Sequence, residues 1–152
     1  MRTRTKKICL VSSHGGHFKE LSNAVKGLEG DIFWVTARTS NTLHQLENKK
    51  HHFVIDPVAS KAKFVLNFFQ SLRIILAERP THVVSTGAGI ALFSILLAKY
   101  LAGAKVIYIE SAANVVHPSR TGNFIYPRAD LFLVQWEQNL SFYPKAQFVG
   151  LL

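Results

Sequence analysis

The stretch Thr81-His82-Val83-Val84-Ser85-Thr86-Gly87-Ala88-Gly89-Ile90, continuing through apolar residues to Ala98, decides the fold. It holds no Asp, Glu, Lys or Arg. A helix that crosses a bilayer needs about 20 uninterrupted apolar residues. Here Ser85, Thr86, Gly87 and Gly89 stand in the middle. His82–Ser85 therefore reads as a buried strand and the glycines as a turn. Gly89–Leu101 reads as a helix with Gly103 beyond its end.

The same alternation extends outward on both sides. Towards the amino terminus, Lys61–Arg79 is a long helix stopped by Pro80, and Phe53–Ile55 and Ile32–Thr36 are strands. His17–Leu28 is a helix ended near Gly30, and Ile8–Ser12 is the first strand. Towards the carboxyl terminus, Val106–Ile109, Leu131–Val134 and Gln147–Val149 read as strands. Strands with continuous rather than alternating apolar residues suit a parallel sheet covered on both faces. The expectation is an α/β fold, a Rossmann-like doubly wound parallel sheet, in one domain over residues 1–152. The chain stops straight after a strand-like run, which reads as half of a larger architecture.

Composition narrows the partners. Eighteen Lys plus Arg against nine Asp plus Glu give a net charge of +9, with 48% hydrophobic residues and a mean hydropathy of +0.14. Disorder is excluded by that apolar content. A single cysteine, Cys9, rules out an internal disulfide framework, and its place in an apolar strand makes it a buried thiol. Basic and apolar together point to an anionic partner with apolar character, such as a membrane surface. The basic start, residues 1–7 with Arg2, Arg4, Lys6 and Lys7, precedes an apolar run too short for a secretory signal.

Ligands in open α/β sheets bind beyond the carboxyl ends of the strands. Three loops lie there. Ser12-Ser13-His14-Gly15-Gly16-His17 offers two glycines, serine and histidine donors, and free N–H groups at a helix start. Ser85-Thr86-Gly87-Ala88-Gly89 repeats the arrangement, but lacks the Lys-Ser/Thr of a P-loop, and Leu92 replaces the third glycine of a dinucleotide fingerprint. Each of the two loops reads equally as a phosphate cradle or as a tight turn; two at equivalent positions favour the cradle. Glu110-Ser111-Ala112-Ala113-Asn114 follows a strand end, where the carboxylate either holds a hydroxyl, orients a histidine or caps the turn.

The seven histidines form no metal-ligand spacing with cysteines or carboxylates, so no metal is expected. Lys49-Lys50-His51-His52 reads as a solvated basic turn. On the Lys61–Arg79 helix, at ~100° per residue, the apolar arc spans roughly 200°, wider than a core stripe requires. That face is either buried on two sides, or its aromatic residues Phe64, Phe68 and Phe69 meet a bilayer with Lys61 and Lys63 at the head groups.

Taken in order, the three loops resemble the amino-terminal half of GT-B glycosyltransferases of the MurG type. The residues that carry this likeness are Ser12–His17, Ser85–Ile90, Ile107–Ser111 and Tyr126-Pro127-Arg128-Ala129-Asp130, with Leu133-Val134-Gln135-Trp136-Glu137 and Phe142-Tyr143-Pro144. Over its whole length the chain is similar to the acceptor-side subunit of the split UDP-N-acetylglucosamine transferase of lipid-linked oligosaccharide assembly, and to PssD-type exopolysaccharide and capsule proteins. The resemblance implies a partner chain that supplies the carboxyl-terminal half and most of the UDP-sugar site. It implies His17 as catalytic base, with Glu110 orienting the acceptor or His17. Ser13, His14, Gly15, Gly16, Thr86, Gly87, Ala88, Gly89 and Asn114 would bind a polyprenyl-diphosphate-linked acceptor. No cofactor is implied.

The resemblance implies an amino-terminal transmembrane anchor in eukaryotic members; none is expected from this sequence. Peripheral attachment to the cytoplasmic face through Arg2, Arg4, Lys6, Lys7 and the Lys61–Arg79 helix is expected instead. Two other classes compete: a non-catalytic protein that recruits a complete glycosyltransferase, and a stand-alone nucleotide or nucleic-acid binder. Against the last, the basic residues are dispersed and no aromatic-basic RNA motif occurs.

Overall fold

A computed structural model describes residues 5–58 and 60–152, so Arg2 and Arg4 lie outside the described residues. Among the described residues seven strands form one parallel sheet in the order β3-β2-β1-β4-β5-β6-β7. They are β1 (Lys7–Ser12), β2 (Asp31–Thr36), β3 (His51–Phe53), β4 (His82–Gly87), β5 (Lys105–Ile109), β6 (Leu131–Val134) and β7 (Gln147–Phe148). Among the described residues the α-helices are α1 (Gly16–Ala24), α2 (Ser40–Gln45), α3 (Lys61–Glu78), α4 (Leu92–Ala102) and α5 (Arg120–Ile125). The expected Rossmann-like sheet is the observed one.

Successive strand residues serve two cores, which is why the strands are apolar throughout. Cys9, Val11, Phe33, Val35, Val83, Val106 and Tyr108 face α3, α4 and α5, where they meet Ile75, Ile95 and Ile125. Ile8, Leu10, Trp34, Val84 and Ile109 face α1, packing with Phe18 and Leu21. Cys9 is fully buried, and burial pushes its thiol pKa up.

Local chemistry sets the boundaries. Helix α3 starts where the Ser60 hydroxyl accepts from Lys63 N, and ends at Arg79 in the left-handed region (φ 46°), just before Pro80. Helix α1 ends at Ala24, four residues earlier than its apolar pattern suggests, because the chain turns through Gly27 (φ 82°). The third strand is His51–Phe53, not Phe53–Ile55. The histidines expected in a solvated turn instead pair with Trp34 and Val35.

His52 Nε2 meets Glu78 Oε1 at 2.8 Å, while Lys7 Nζ (2.5 Å) and Lys50 Nζ (2.8 Å) converge on Oε2. Burial alone would raise the Glu78 pKa, but these three partners pull it down to about 2. This clasp ties α3 to the amino-terminal ends of β1 and β3. Lys7, expected at a membrane, is instead committed there.

Candidate functional site at the carboxyl edge of the sheet

Helix α1 begins directly after β1, with Gly15 as its N-cap at φ 76°, ψ −131°. A Cβ at Gly15 would meet no neighbour, so it is the dihedral angle that calls for glycine there. No side chain caps the helix start, and His14, Gly15 and Gly16 are exposed. Ser13 is buried, its hydroxyl donating to His14 O at 3.3 Å.

His17, in the first turn of α1, is half-buried and bound to the second loop twice. Its Nδ1 lies 2.9 Å from Thr86 O, and the Thr86 hydroxyl donates to His17 O at 2.7 Å. A carbonyl oxygen only accepts, so Nδ1 carries the proton and the lone pair of the neutral ring is on Nε2. That is the arrangement a general base requires: one nitrogen oriented, the other basic.

Strand β4 continues through Thr86 and Gly87, two residues beyond its expected end. Gly87 takes φ 98°, and a Cβ there would run into the Tyr108 hydroxyl. Ala88 follows at φ 72°, ψ 156°, a conformation essentially reserved for glycine. The chain then tightens into a 3-10 turn at Gly89–Ala91 before α4. Helix α3 reaches this loop from the opposite face, where Asn67 Nδ2 donates to Ile55 O (2.8 Å) and Ile90 O (3.4 Å).

Glu110 is fully buried at the end of β5. Asn114 Nδ2 donates to Oε1 at 2.7 Å, while Tyr143 Oη (2.9 Å) and Ser119 Oγ (3.0 Å) donate to Oε2. Desolvation raises its pKa, and hydrogen bonds from Ser119, Tyr143 and Asn114 oppose the rise. Burial, with the negative charge of Glu110 beside it, likewise pushes the Tyr143 hydroxyl up. The carboxyl group belongs to the face of α5 and Tyr143, whereas His17 and Thr86 belong to the face of α1. No hydrogen bond joins Glu110 to His17. A positive charge on the His17 ring would favour the ionised Glu110 carboxylate through space.

Two residues outside the expected set bind these loops together. Glu20, one turn after His17 on α1, accepts at Oε1 from Ala112 N (3.0 Å) and Ser111 Oγ (3.1 Å). Trp136 Nε1 donates to Ala112 O at 2.8 Å. The i, i+3 spacing from His17 was the available sign for Glu20; Trp136 lay in a stretch that carried the family likeness, but nothing there pointed to its bond with Ala112.

The apolar and basic residues of the expected membrane contact are divided. Lys61, Lys63, Phe64 and Phe69 are exposed at the start of α3, and Phe68 is half-buried. Phe64 and Phe68 pack edge-on against Phe93 of α4, with ring centroids 4.6 and 5.2 Å apart. Lys6 and Lys7 lie at the opposite end of the sheet. Among the described residues no helix is long and apolar enough to cross a membrane.

Residues 54–152 match the family "Oligosaccharide biosynthesis protein Alg14 like". Two curated relatives carry the name UDP-N-acetylglucosamine transferase subunit ALG14. That of Debaryomyces hansenii is 26% identical over 179 aligned positions, 98% of this chain and 77% of its own length. That of Kluyveromyces lactis is 48% identical over 48 residues, 32% of this chain and 20% of its own. Among solved structures, Acinetobacter baumannii MurG superposes with a TM-score of 0.73 at 16% identity, over 96% of this chain and 45% of the enzyme. UDP-N-acetylglucosamine 2-epimerase from Rickettsia bellii gives 0.74 at 10% identity, over 97% and 45%. The fold is thus shared with one half of these enzymes.

Proposed function

The chain belongs to the Alg14-like family of oligosaccharide biosynthesis proteins, and on that premise we propose that it is the acceptor-side subunit of a membrane-associated, two-component glycosyltransferase. The reaction transfers a sugar, N-acetylglucosamine in the named relatives, from a UDP-sugar to a polyprenyl-diphosphate-linked acceptor. The observation that carries this reading is the His17–Thr86 pairing, which leaves Nε2 as the basic nitrogen at the carboxyl edge of the sheet.

In this mechanism His17 Nε2 takes the proton of the acceptor hydroxyl as the oxygen attacks the anomeric carbon. The bond from that carbon to the UDP oxygen breaks, and UDP leaves from the opposite side. The acceptor diphosphate lies against the loops of Gly15–Gly16 and Gly87–Gly89, where N–H groups at the helix starts bear its charge without a metal held by this chain. Glu110 builds the acceptor loop by fixing Asn114 and Ser119. A partner subunit supplies the carboxyl-terminal half and the UDP-sugar pocket, consistent with coverage of 45% of the MurG chain. Peripheral contact with the cytoplasmic face of the membrane comes from the exposed aromatic start of α3.

The test is co-expression with a carboxyl-terminal-half glycosyltransferase from the same genome, followed by transfer from radiolabelled UDP-N-acetylglucosamine to membrane lipid. Transfer is expected only when both chains are present. Full activity of this chain alone, or of the partner alone, overturns the split-enzyme reading.

A further inference from the structure

We propose that Glu20 is a positioning residue that locks the loop after β5 onto helix α1, so that the acceptor loop and His17 keep one fixed geometry. The proposal rests on the glycosyltransferase reading above. Helix α1 holds two neighbouring loops through two side chains one turn apart: His17 the β4 loop at Thr86, and Glu20 the β5 loop at Ser111 and Ala112. The lacing continues from Ala112 O to the Trp136 indole and from Asn114 O to Asn139 Nδ2. The carboxyl edge is therefore one connected network, and Glu20 is the hydrogen-bonding link from α1 to Ser111 and Ala112.

The chemistry of Glu20 is unlike that of a surface glutamate. Both donors to Oε1 are neutral, and Oε2 is buried with no partner among the described residues. A buried carboxylate oxygen without a donor destabilises the fold. A methyl group in its place would avoid that cost, but would free the Ala112 N–H and the Ser111 hydroxyl. What the carboxylate supplies in return is the fixed geometry of the Ser111–Ala112 loop against α1. That geometry bears on catalysis, because an error of about 1 Å in the placement of reacting groups lowers a rate by about a hundredfold.

The test separates the clasp from the reaction. In the full chain, Glu20→Ala should speed hydrogen exchange at the Ala112 amide at least about tenfold. It should also move the Trp136 indole resonance and leave that of Trp34 in place. Glu20→Gln, which keeps the accepting oxygen, should preserve both signals. With the partner subunit present, Glu20→Ala should lower kcat about ten- to a hundredfold at unchanged KM for UDP-N-acetylglucosamine, and Glu20→Gln should restore most of it. Unchanged exchange at Ala112 in Glu20→Ala overturns the clasp. Lost protection with intact kcat overturns its role in positioning. If wild-type chain and partner show no transfer at all, the glycosyltransferase reading fails, while the exchange result still decides the clasp.

Discussion

At Ala88 a β-carbon occupies backbone space that normally only glycine enters, and it does so in the loop next to the residue that holds His17. Such a conformation costs of order 1–3 kcal/mol and persists where the surroundings enforce it. Ala88→Gly should relieve it. After the greater unfolded-state entropy of glycine is subtracted, a net gain of about 1 kcal/mol remains, seen as a melting temperature about 2–4 °C higher. A lower melting temperature would show that the Ala88 methyl makes packing contacts worth more than the strain. His17 itself carries the sharper expectation. His17→Ala in the co-expressed pair should lower turnover about a hundredfold or more with the circular dichroism spectrum unchanged. Intact turnover would make the chain a recruiter of a separate enzyme. The sequence singled out both positions through glycines and a histidine in order; it held no sign of the strain, which lies in two dihedral angles.

Elements with long apolar periods were legible before any coordinates, whereas α2, α5 and the 3-10 turns were not. These are six residues or fewer, held by caps rather than by a face: Thr39 and Thr42 form a capping box for α2, and Ser119 accepts from Gly122 N to start α5. Short helices of this kind draw their stability from tertiary contacts, which no local pattern reports. Helix α5 shows the dependence plainly. Gly122 packs so closely that an added Cβ would overlap Glu110 Oε2 and stand 2.7 Å from Ser119 Oγ and Tyr143 Oη. Gly122→Ala should therefore destabilise the protein by about 2–4 kcal/mol in urea unfolding; a neutral substitution would mean that α5 shifts freely. The Glu78 clasp was equally hidden, since its partners lie 26 to 71 positions away in sequence. Its carboxyl group is held at about 2 rather than the ordinary 4.5. The lowered pKa contributes stability that is complete above pH 4.5 and is lost as the pH falls towards 2. Glu78→Gln should flatten the acid limb of the stability curve in that window. An unchanged limb would assign acid sensitivity to other carboxylates.

Across the whole molecule, two groups of basic residues stand apart among those described. At the amino-terminal edge of the sheet, Lys7 and Lys50 face Glu78, and Lys99 and Lys105 face Asp130. Each of these ammonium groups is paired with a carboxylate of the fold. Lys61 and Lys63, by contrast, sit exposed beside Phe64, Val65, Leu66 and Phe69, whose side chains are 43–59% accessible. Helix α3 is 18 residues long, which at 1.5 Å per residue spans about 27 Å, so Lys61 and Lys63 stand about that far from the Glu78 clasp. The end bearing the aromatic residues is also the end at which Asn67 touches the Ile90 loop, so on the proposed function a lipid-borne acceptor held there would lie beside the glycine loops. Burying one Phe side chain is worth about 1.5–3 kcal/mol, and a basic residue near an anionic surface about 1 kcal/mol. Phe64→Ser with Phe69→Ser should therefore lower binding to vesicles of phosphatidylglycerol and phosphatidylethanolamine by about 10- to 100-fold. Lys61→Gln with Lys63→Gln should weaken it less and remove most of its salt dependence. Lys7→Gln should leave vesicle binding as it is while lowering the melting temperature, because its ammonium group belongs to Glu78. Vesicle binding that follows Lys7 and ignores Phe64 and Phe69 would place the membrane at the other end of the sheet, away from His17.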